Sequence, residues 1–254
     1  MPPLFTLLTD LPLFEGLASV DVARLANAFV VHTYPRGEEI PLTADGPDRS
    51  LLLVDGAVRL MRAGPDGRLL GVGLLGDGGV FGRLPFSPPV DGERAEALDD
   101  SRVVTIAVRD LERIAVAHPS VARALLSEIA ARLNAANDQL AGLAFQSVPA
   151  RLATVLLDLA DRYGRVTPRG VRIDLRLTHG QLAELTSTTR ETLTKVAGWL
   201  RAENLATLGR REIWLHDLAG IGAVAGGARQ MPGRGANGAG GGSDVDLTDS
   251  MPAA

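Results

Sequence analysis

Three side chains within one short segment carry a chemistry that suits nucleic acid: Arg190, Glu191 and Lys195. Arginine pairs bidentately with the guanine edge, and glutamate accepts from cytosine N4. They fall on the second of two helical patterns between Thr178 and Leu200. In the first, Leu182 and Leu185 flank the small Ala183. In the second, Leu193, Val196, Ala197 and Leu200 recur at i, i+3, i+4 and i+7, an apolar stripe at helical period. With that stripe inward, Arg190, Glu191, Thr194 and Lys195 face outward. The hydroxyl-rich Thr186-Ser187-Thr188-Thr189 run joins the two, and a hydroxyl just before Arg190 is suited to cap the second helix. This is the plan of a helix-turn-helix, second helix in the major groove. Taken alone, the stretch reads equally well as a helical hairpin with a charged solvent face.

The elements that must hold this stretch follow from the rest of the chain. Its 254 residues suit about two domains, and 46% hydrophobic content supports real cores. With no cysteine there is no disulfide, thiol switch or cysteine-ligated cluster. No basic leader or long apolar run is present, so we expect a cytoplasmic protein with no membrane partner. The net charge of −4 is unevenly spread: residues 149–217 hold 11 Lys+Arg against 8 Asp+Glu, whereas residues 1–148 hold 13 against 19. Lys195 is the sole lysine.

Residues 10–30 read as short helices, with Ser19 as cap and Val22, Leu25, Ala26 and Phe29 as the stripe. From Val30 to about Val108, β-prone runs (Ser50–Val54, Ala57–Arg62, Leu69–Leu75, Arg102–Val108) alternate with turn signals such as Asp45-Gly46-Pro47 and Gly64-Pro-Asp-Gly67. That texture predicts a sandwich or jelly roll. A metal-dependent enzyme on such a roll would need several His ligands, and His32 stands alone there. His32 and His118 form no pair suited to haem.

Beyond Pro119, Leu126, Ile129, Leu133, Ala136, Leu140 and Leu143 follow at alternating spacings of three and four. This is a coiled-coil seam, which favours a homodimer over a helix packed on its own roll. Val148-Pro149 ends that helix, and Arg151–Tyr163 forms another, with Gly164 as its C′ residue. Val171–Leu177 alternates as a strand. Leu208–Leu215 reads as a hairpin tipped by Arg210 and Arg211, a wing whose arginines suit phosphate. Low-complexity Gly, Ala and Ser fill 226–254, and we expect 219–254 to be a disordered tail.

The order of parts resembles the cyclic AMP receptor protein (CRP/FNR) family of bacterial transcription regulators. The likeness runs from about Leu11 to His216. It is carried by Leu13-Phe14-Glu-Gly-Leu17, Pro35-Arg-Gly37-Glu38, Asp55-Gly56-Ala-Val58, Gly142–Phe145 with Arg151–Ala153, and above all Thr189-Arg-Glu-Thr192 with Lys195. The resemblance implies an α+β chain: an N-terminal β-roll of the cyclic-nucleotide-binding kind (1–118), a dimerisation helix (119–147) and a C-terminal winged helix-turn-helix (148–218). It implies double-stranded DNA and RNA polymerase as partners, and no enzymatic activity. Arg190, Glu191 and Lys195 match the family's base-reading positions, with lysine where arginine is common. Thr178, His179, Thr189 and Thr192 match phosphate-contacting positions. Ser187 stands where the turn usually has glycine, which predicts a positive φ there.

The family's effector signature is altered. Gly82-Arg83-Leu84 lacks the glutamate that would hold a ribose hydroxyl. Arg94 is retained for a phosphate, but Ala95 lacks the hydroxyl, and Ala136-Asn137 replaces the Thr-Ser pair that meets adenine. Each unmade buried hydrogen bond costs on the order of 1–3 kcal/mol. Cyclic AMP is therefore not expected to bind in the usual manner. The alternatives are a cyclic nucleotide or other small anionic effector held by an altered pocket around Arg83 and Arg94, or closure of that pocket by pairing with Asp91 and Glu93. Two rival functions are weaker: a sensing module with a vestigial DNA-binding half, against which the intact Arg190-Glu191-Lys195 set argues, and an enzyme on the roll, which lacks ligands.

Overall fold

A computed structural model describes residues 4–42, 48–67, 69–88, 92–209 and 212–232. Eight antiparallel strands between Val30 and Ala107 make two four-stranded sheets, ordered β1-β8-β3-β6 and β2-β7-β4-β5. The strands are β1 (Val30–Tyr34), β2 (Glu39–Ile40), β3 (Arg49–Asp55), β4 (Val58–Ala63), β5 (Leu69–Leu75), β6 (Val80–Gly82), β7 (Glu93–Ala97) and β8 (Ser101–Ala107). Of these, β1, β2, β6 and β7 lie outside the runs picked out by β propensity. Glu39, Glu93, Arg94 and Glu96 dilute the apolar signal, yet the alternation still buries Ile40, Ala95 and Ala97. Between β4 and β5 the Gly64–Gly67 turn closes as anticipated: Gly67 N donates to Gly64 O at 3.0 Å, with φ of +76° at Gly67. The Asp45-Gly46-Pro47 turn lies outside the described residues.

The roll has two cores because β3 and β8 are apolar on both faces. Leu51, Leu53 and Val103 turn inward to meet Phe81, Val58, Leu60 and Ala95 between the sheets. Leu52, Val104 and Ile106 turn outward onto helices. Those helices are α1 (Leu4–Thr9), α2 (Ser19–Leu25), α3 (Val108–Ala117) and the start of α4 (Pro119–Phe145). Ser19 is the first residue of α2 rather than its cap, which falls on Ala18 without a side-chain hydrogen bond. Phe29 lies beyond the helix, edge-on to Phe14 at 5.6 Å.

Helix α4 runs 27 residues from a first-turn proline. Its N-terminal part buries Val121 and Leu125 against the roll. Its seam points away: Leu126, Leu133 and Leu140 are each 60% or more exposed, and Ile129, Ala136 and Leu143 are exposed as well. The helix therefore does not spend this stripe on its own chain.

The C-terminal half is one helical core against a small sheet of four strands, β9 (Gly164–Thr167), β10 (Gly170–Ile173), β11 (Ala206–Leu208) and β12 (Ile213–Leu215), in the order β11-β12-β10-β9. Helix α5 (Val148–Tyr163) starts from Ser147, whose side chain accepts from Ala150 N, and buries Leu152, Leu156 and Leu159. A fully buried Leu contributes about 1.5–3 kcal/mol. Gly164 corrects the expectation of a left-handed cap. Its φ/ψ are extended (−81°, 139°), and glycine is required because a Cβ would sit 2.0 Å from Ala160 O. The predicted strand 171–177 shortens to β10 (Gly170–Ile173), paired with β9 (Gly164–Thr167).

The disordered-tail expectation is also corrected at its start. Residues Leu218–Ala225 form α8, capped by Asp217 Oδ1 accepting from Gly220 N at 2.9 Å. Ile221 and Val224 are buried in the same core as α5. Small residues let this helix lie close to its neighbour, and the expected tail boundary at 219 cut into it. Residues 233–254 lie outside the described part.

Candidate nucleic-acid interface and effector region

The helix-turn-helix is assembled by hydroxyl caps. Helix α6 (His179–Leu185) opens with a reciprocal capping box: Thr178 Oγ1 accepts from Gln181 N at 3.1 Å, and Gln181 Oε1 accepts from Thr178 N at 2.9 Å. It closes at Thr186, whose buried hydroxyl donates to Leu182 O at 2.8 Å. Ser187 then takes φ of +50°, as its position in the turn predicts. A non-glycine residue there costs about 1–2 kcal/mol. Thr188 N donating to Ala183 O at 2.9 Å helps hold the turn.

Helix α7 (Arg190–Ala202) starts at Thr189, whose Oγ1 accepts from Thr192 N at 3.2 Å. Leu193, Val196, Ala197 and Leu200 are buried, so Arg190, Glu191, Thr194 and Lys195 are presented to solvent. Among the described residues neither Arg190 nor Lys195 is held in an ion pair. Backbone and Thr189 hydroxyl hydrogen bonds hold the Glu191 carboxyl below its ordinary range, so it stays an acceptor at neutral pH. The three thus share one exposed face, on which the two cations join no ion pair among the described residues.

The positions matched to phosphate contacts are less free. Thr178 and Thr189 are exposed at helix starts, but each hydroxyl already serves as a cap. Thr192 is half-buried beside Thr189, its Oγ1 accepting at 3.1 Å. His179 spans three elements, with Nδ1 3.2 Å from Thr194 Oγ1 and Nε2 3.2 Å from Leu208 O. It ties α6 to the recognition helix and to strand β11 (Ala206–Leu208). Strands β11 and β12 (Ile213–Leu215) pair antiparallel, and Gly209 N donates to Glu212 O at 2.8 Å. The wing is therefore present, while Arg210 and Arg211 at its tip lie outside the described residues.

The effector candidates do not converge in the same way. Gly82 ends β6 at φ of +69°, and Leu51 fills the space where its side chain would go, 2.5 Å from an added Cβ. Arg83 is turned to Asp48, with which it forms an ion pair, and Leu84 packs toward the helices. Arg94 forms a two-pronged pair with Glu39 at 2.8 and 2.5 Å. That contact lowers the Glu39 pKa and raises that of Arg94. Ala95 is buried in the roll core; Ala136 and Asn137 are exposed on α4. Closure by Arg94 with Glu93 is corrected: Glu39 takes the arginine. Glu93 is half-buried, and desolvation pushes its pKa up against the opposing pull of Arg132 and Arg62. Asp91 lies outside the described residues. The open cleft at this place, about 470 Å³, is lined by Tyr34, Glu38, Glu39, Pro41, Glu93 and Arg94 among others. Three carboxylates against one guanidinium make poor lodging for a phosphate. His32 is half-buried, with Nε2 3.3 Å from Thr105 Oγ1.

The residue pattern missed a set that joins the halves: Arg59, Glu96, Gln139, Arg151 and Glu184. A signal existed, since Arg59 is a charge between Val58 and Leu60 in a strand that alternation alone leaves ambiguous.

A roll, a long helix with an open seam and a winged helix-turn-helix together define a class of DNA-binding regulators. Comparison with known proteins gives that class a name. The model of the cyclic nucleotide-binding domain matches residues 31–118, and that of the Crp-like helix-turn-helix domain matches residues 150–223. A "CRP-like cAMP-activated global transcriptional regulator" of Mycobacterium tuberculosis is 31% identical over 204 residues, covering 77% of this chain and 91% of the relative. The "Cyclic AMP receptor protein" of Thermus thermophilus is 30% identical over 211 residues, covering 82% and 94%. A solved structure of a CRP/FNR-family transcriptional regulator, also from Thermus thermophilus, aligns with a TM-score of 0.65 at 28% identity, over 78% of this chain and 98% of that one. The chain belongs to the CRP/FNR family of transcription regulators. The helix-turn-helix match ends at residue 223, within α8 (Leu218–Ala225), so most of this helix belongs to the matched domain. Among the described residues no helix is long and apolar enough to cross a membrane.

Proposed function

We propose that this chain is a homodimeric, sequence-specific DNA-binding regulator of transcription that reads a pseudo-palindromic operator and is not an enzyme. The observation that carries this is the exposed Arg190-Glu191-Lys195 face on a capped helix, whose two cations join no ion pair among the described residues, in a chain whose long helix leaves an apolar seam open. Two seams packed together bring two recognition helices to half-sites about one DNA turn apart. In this reading Arg190, Glu191 and Lys195 contact bases. Thr178, His179, Thr189, Thr192, Arg210 and Arg211 lie along the phosphates, the threonines and His179 keeping their capping and bridging roles. Residues 1–118 form the effector-type domain, 119–147 the dimer helix, and the DNA-binding domain runs from 148 through α8. RNA polymerase is the further partner, and the cytoplasm the compartment.

The same reading holds that cyclic AMP does not bind in the family's usual manner. Leu51 beside Gly82, the Arg83–Asp48 and Arg94–Glu39 pairs and the exposed Ala136-Asn137 support it. The alternative is a cyclic-nucleotide-responsive regulator with an altered pocket around Arg83 and Arg94, favoured by the family-domain match over 31–118. Isothermal titration with cyclic AMP separates the two: no heat is expected, and a micromolar Kd would select the alternative. The DNA reading is tested by binding to operators selected from random duplexes; a purified dimer that enriches no sequence would refute it.

A further inference from the structure

The two halves of the molecule are joined through a buried arginine. Arg59 on β4 is 6% exposed. Its guanidinium meets Glu96 Oε2 of β7, Nε at 3.2 Å and Nη2 at 2.6 Å, and pairs with Glu184 of α6. Glu96 in turn accepts from Gln181 Nε2 at 3.0 Å, and Gln181 closes the α6 capping box. A roll cation and a roll carboxylate thus grip α6 at both ends. Beside them Gly71 of β5 lies so close that a Cβ there would come within 3.2 Å of the Glu184 carbonyl and Leu185 Cα. Gln139 of α4 donates to Gly71 O at 2.9 Å and reaches Ser187 Oγ at 3.4 Å. Arg151 of α5 donates to Thr186 O at 3.0 Å and to Gln146 O, at the end of α4, at 2.9 Å. The helix-turn-helix turn, the end of the dimer helix and the β4–β5 hairpin therefore meet at one point.

We propose that Arg59 is a positioning residue for DNA reading: its clamp on Glu96 and Glu184 sets the angle of the recognition helix to the long helix, with protein groups alone and no bound effector. This rests on the DNA-binding reading above. Helix α7 follows α6 because the two share a core and the His179–Thr194 contact. Two half-sites must be met at once, so the angle of each recognition helix decides whether both can be. Ala57 and Leu98 of the roll, buried in the core of the DNA-binding half, keep the joint apolar around the ion pairs. Removing one partner leaves an uncompensated buried charge, which loosens the joint.

The test uses the full-length dimer in fluorescence anisotropy at fixed salt, on its selected operator and on a scrambled duplex of equal length. Arg59→Met is expected to weaken operator binding by on the order of tenfold. Scrambled-duplex binding and dimer mass should hold, because phosphate-contacting groups and the seam are untouched. Arg59→Lys, which keeps the charge, should recover part of the loss. A folded Arg59→Met dimer that binds the operator as well as, or better than, the parent overturns the proposal. Should Arg59→Met fail to fold, Glu184→Gln decides: it removes the charge of the α6 partner at a half-buried site. It should weaken operator binding while scrambled-duplex binding and dimer mass hold, and unchanged operator binding overturns the proposal. Absence of any preferred operator for the parent protein refutes the function itself, before any variant is made.

Discussion

The recognition helix and the effector region both carry arginine and glutamate, and they use them in opposite ways. On α7, Arg190, Glu191 and Lys195 stand on one exposed face, and among the described residues the two cations join no ion pair. In the roll, Arg83 is tied to Asp48 and Arg94 to Glu39, while Leu51 occupies the room beside Gly82. A charged group already matched by its own chain has little left for a ligand, which must first displace the partner. A charged group left in water on a rigid helix keeps its full capacity. The residue types alone do not separate the two regions; what each side chain meets does.

The comparison can be broken at four points, in falling order of effect. Leu133→Asp places a charge in the middle of the proposed dimer seam. Light scattering should report a monomer, and operator affinity should fall by about 10²-fold or more as the bivalent advantage is lost. Retained dimer mass would remove the seam from the account. Next, Arg190→Ala should cost about 1–3 kcal/mol in operator affinity and relax preference at one base pair in each half-site. An unchanged operator profile would contradict the docking. Third, Arg211→Ala should weaken selected and scrambled duplexes alike and lower the salt slope by about one. Loss confined to the selected operator would make it a base reader. Last, Arg94→Ala should leave operator affinity and melting temperature unchanged, because its pair with Glu39 is exposed and surface pairs contribute little. A large fall in DNA affinity would mean that the roll still works through this arginine.

Legibility in the sequence followed the same divide. Helices α4, α5 and α7 were readable because each pairs a long apolar stripe with a start signal, such as Pro119 or Thr189. Ser187 was readable through the family resemblance, which places glycine at that turn position and so calls for a positive φ. Strands β2, β6 and β7 are two to five residues long, too short for alternation to rise above noise. Helix α8 was missed because the expected tail boundary at 219 cut into Leu218–Ala225, a stretch rich in small residues. The Arg59 clamp was illegible for a different reason. Glu184 lies 125 residues from Arg59, and no local pattern records which charge a buried arginine will meet. The effector region was half legible. Loss of the glutamate and hydroxyls could be read against the family's signature, but the pairing of Arg94 with Glu39 instead of Glu93 depended on which face of β7 each side chain takes.

The most direct measurement is selection of duplex DNA by the purified full-length protein, run in parallel with and without cyclic AMP. The account predicts one pseudo-palindromic site, enriched equally in both arms, with half-sites about one helical turn apart. Enrichment that appears with cyclic AMP and is absent without it would contradict the central claim, that DNA reading here is ready in the protein itself.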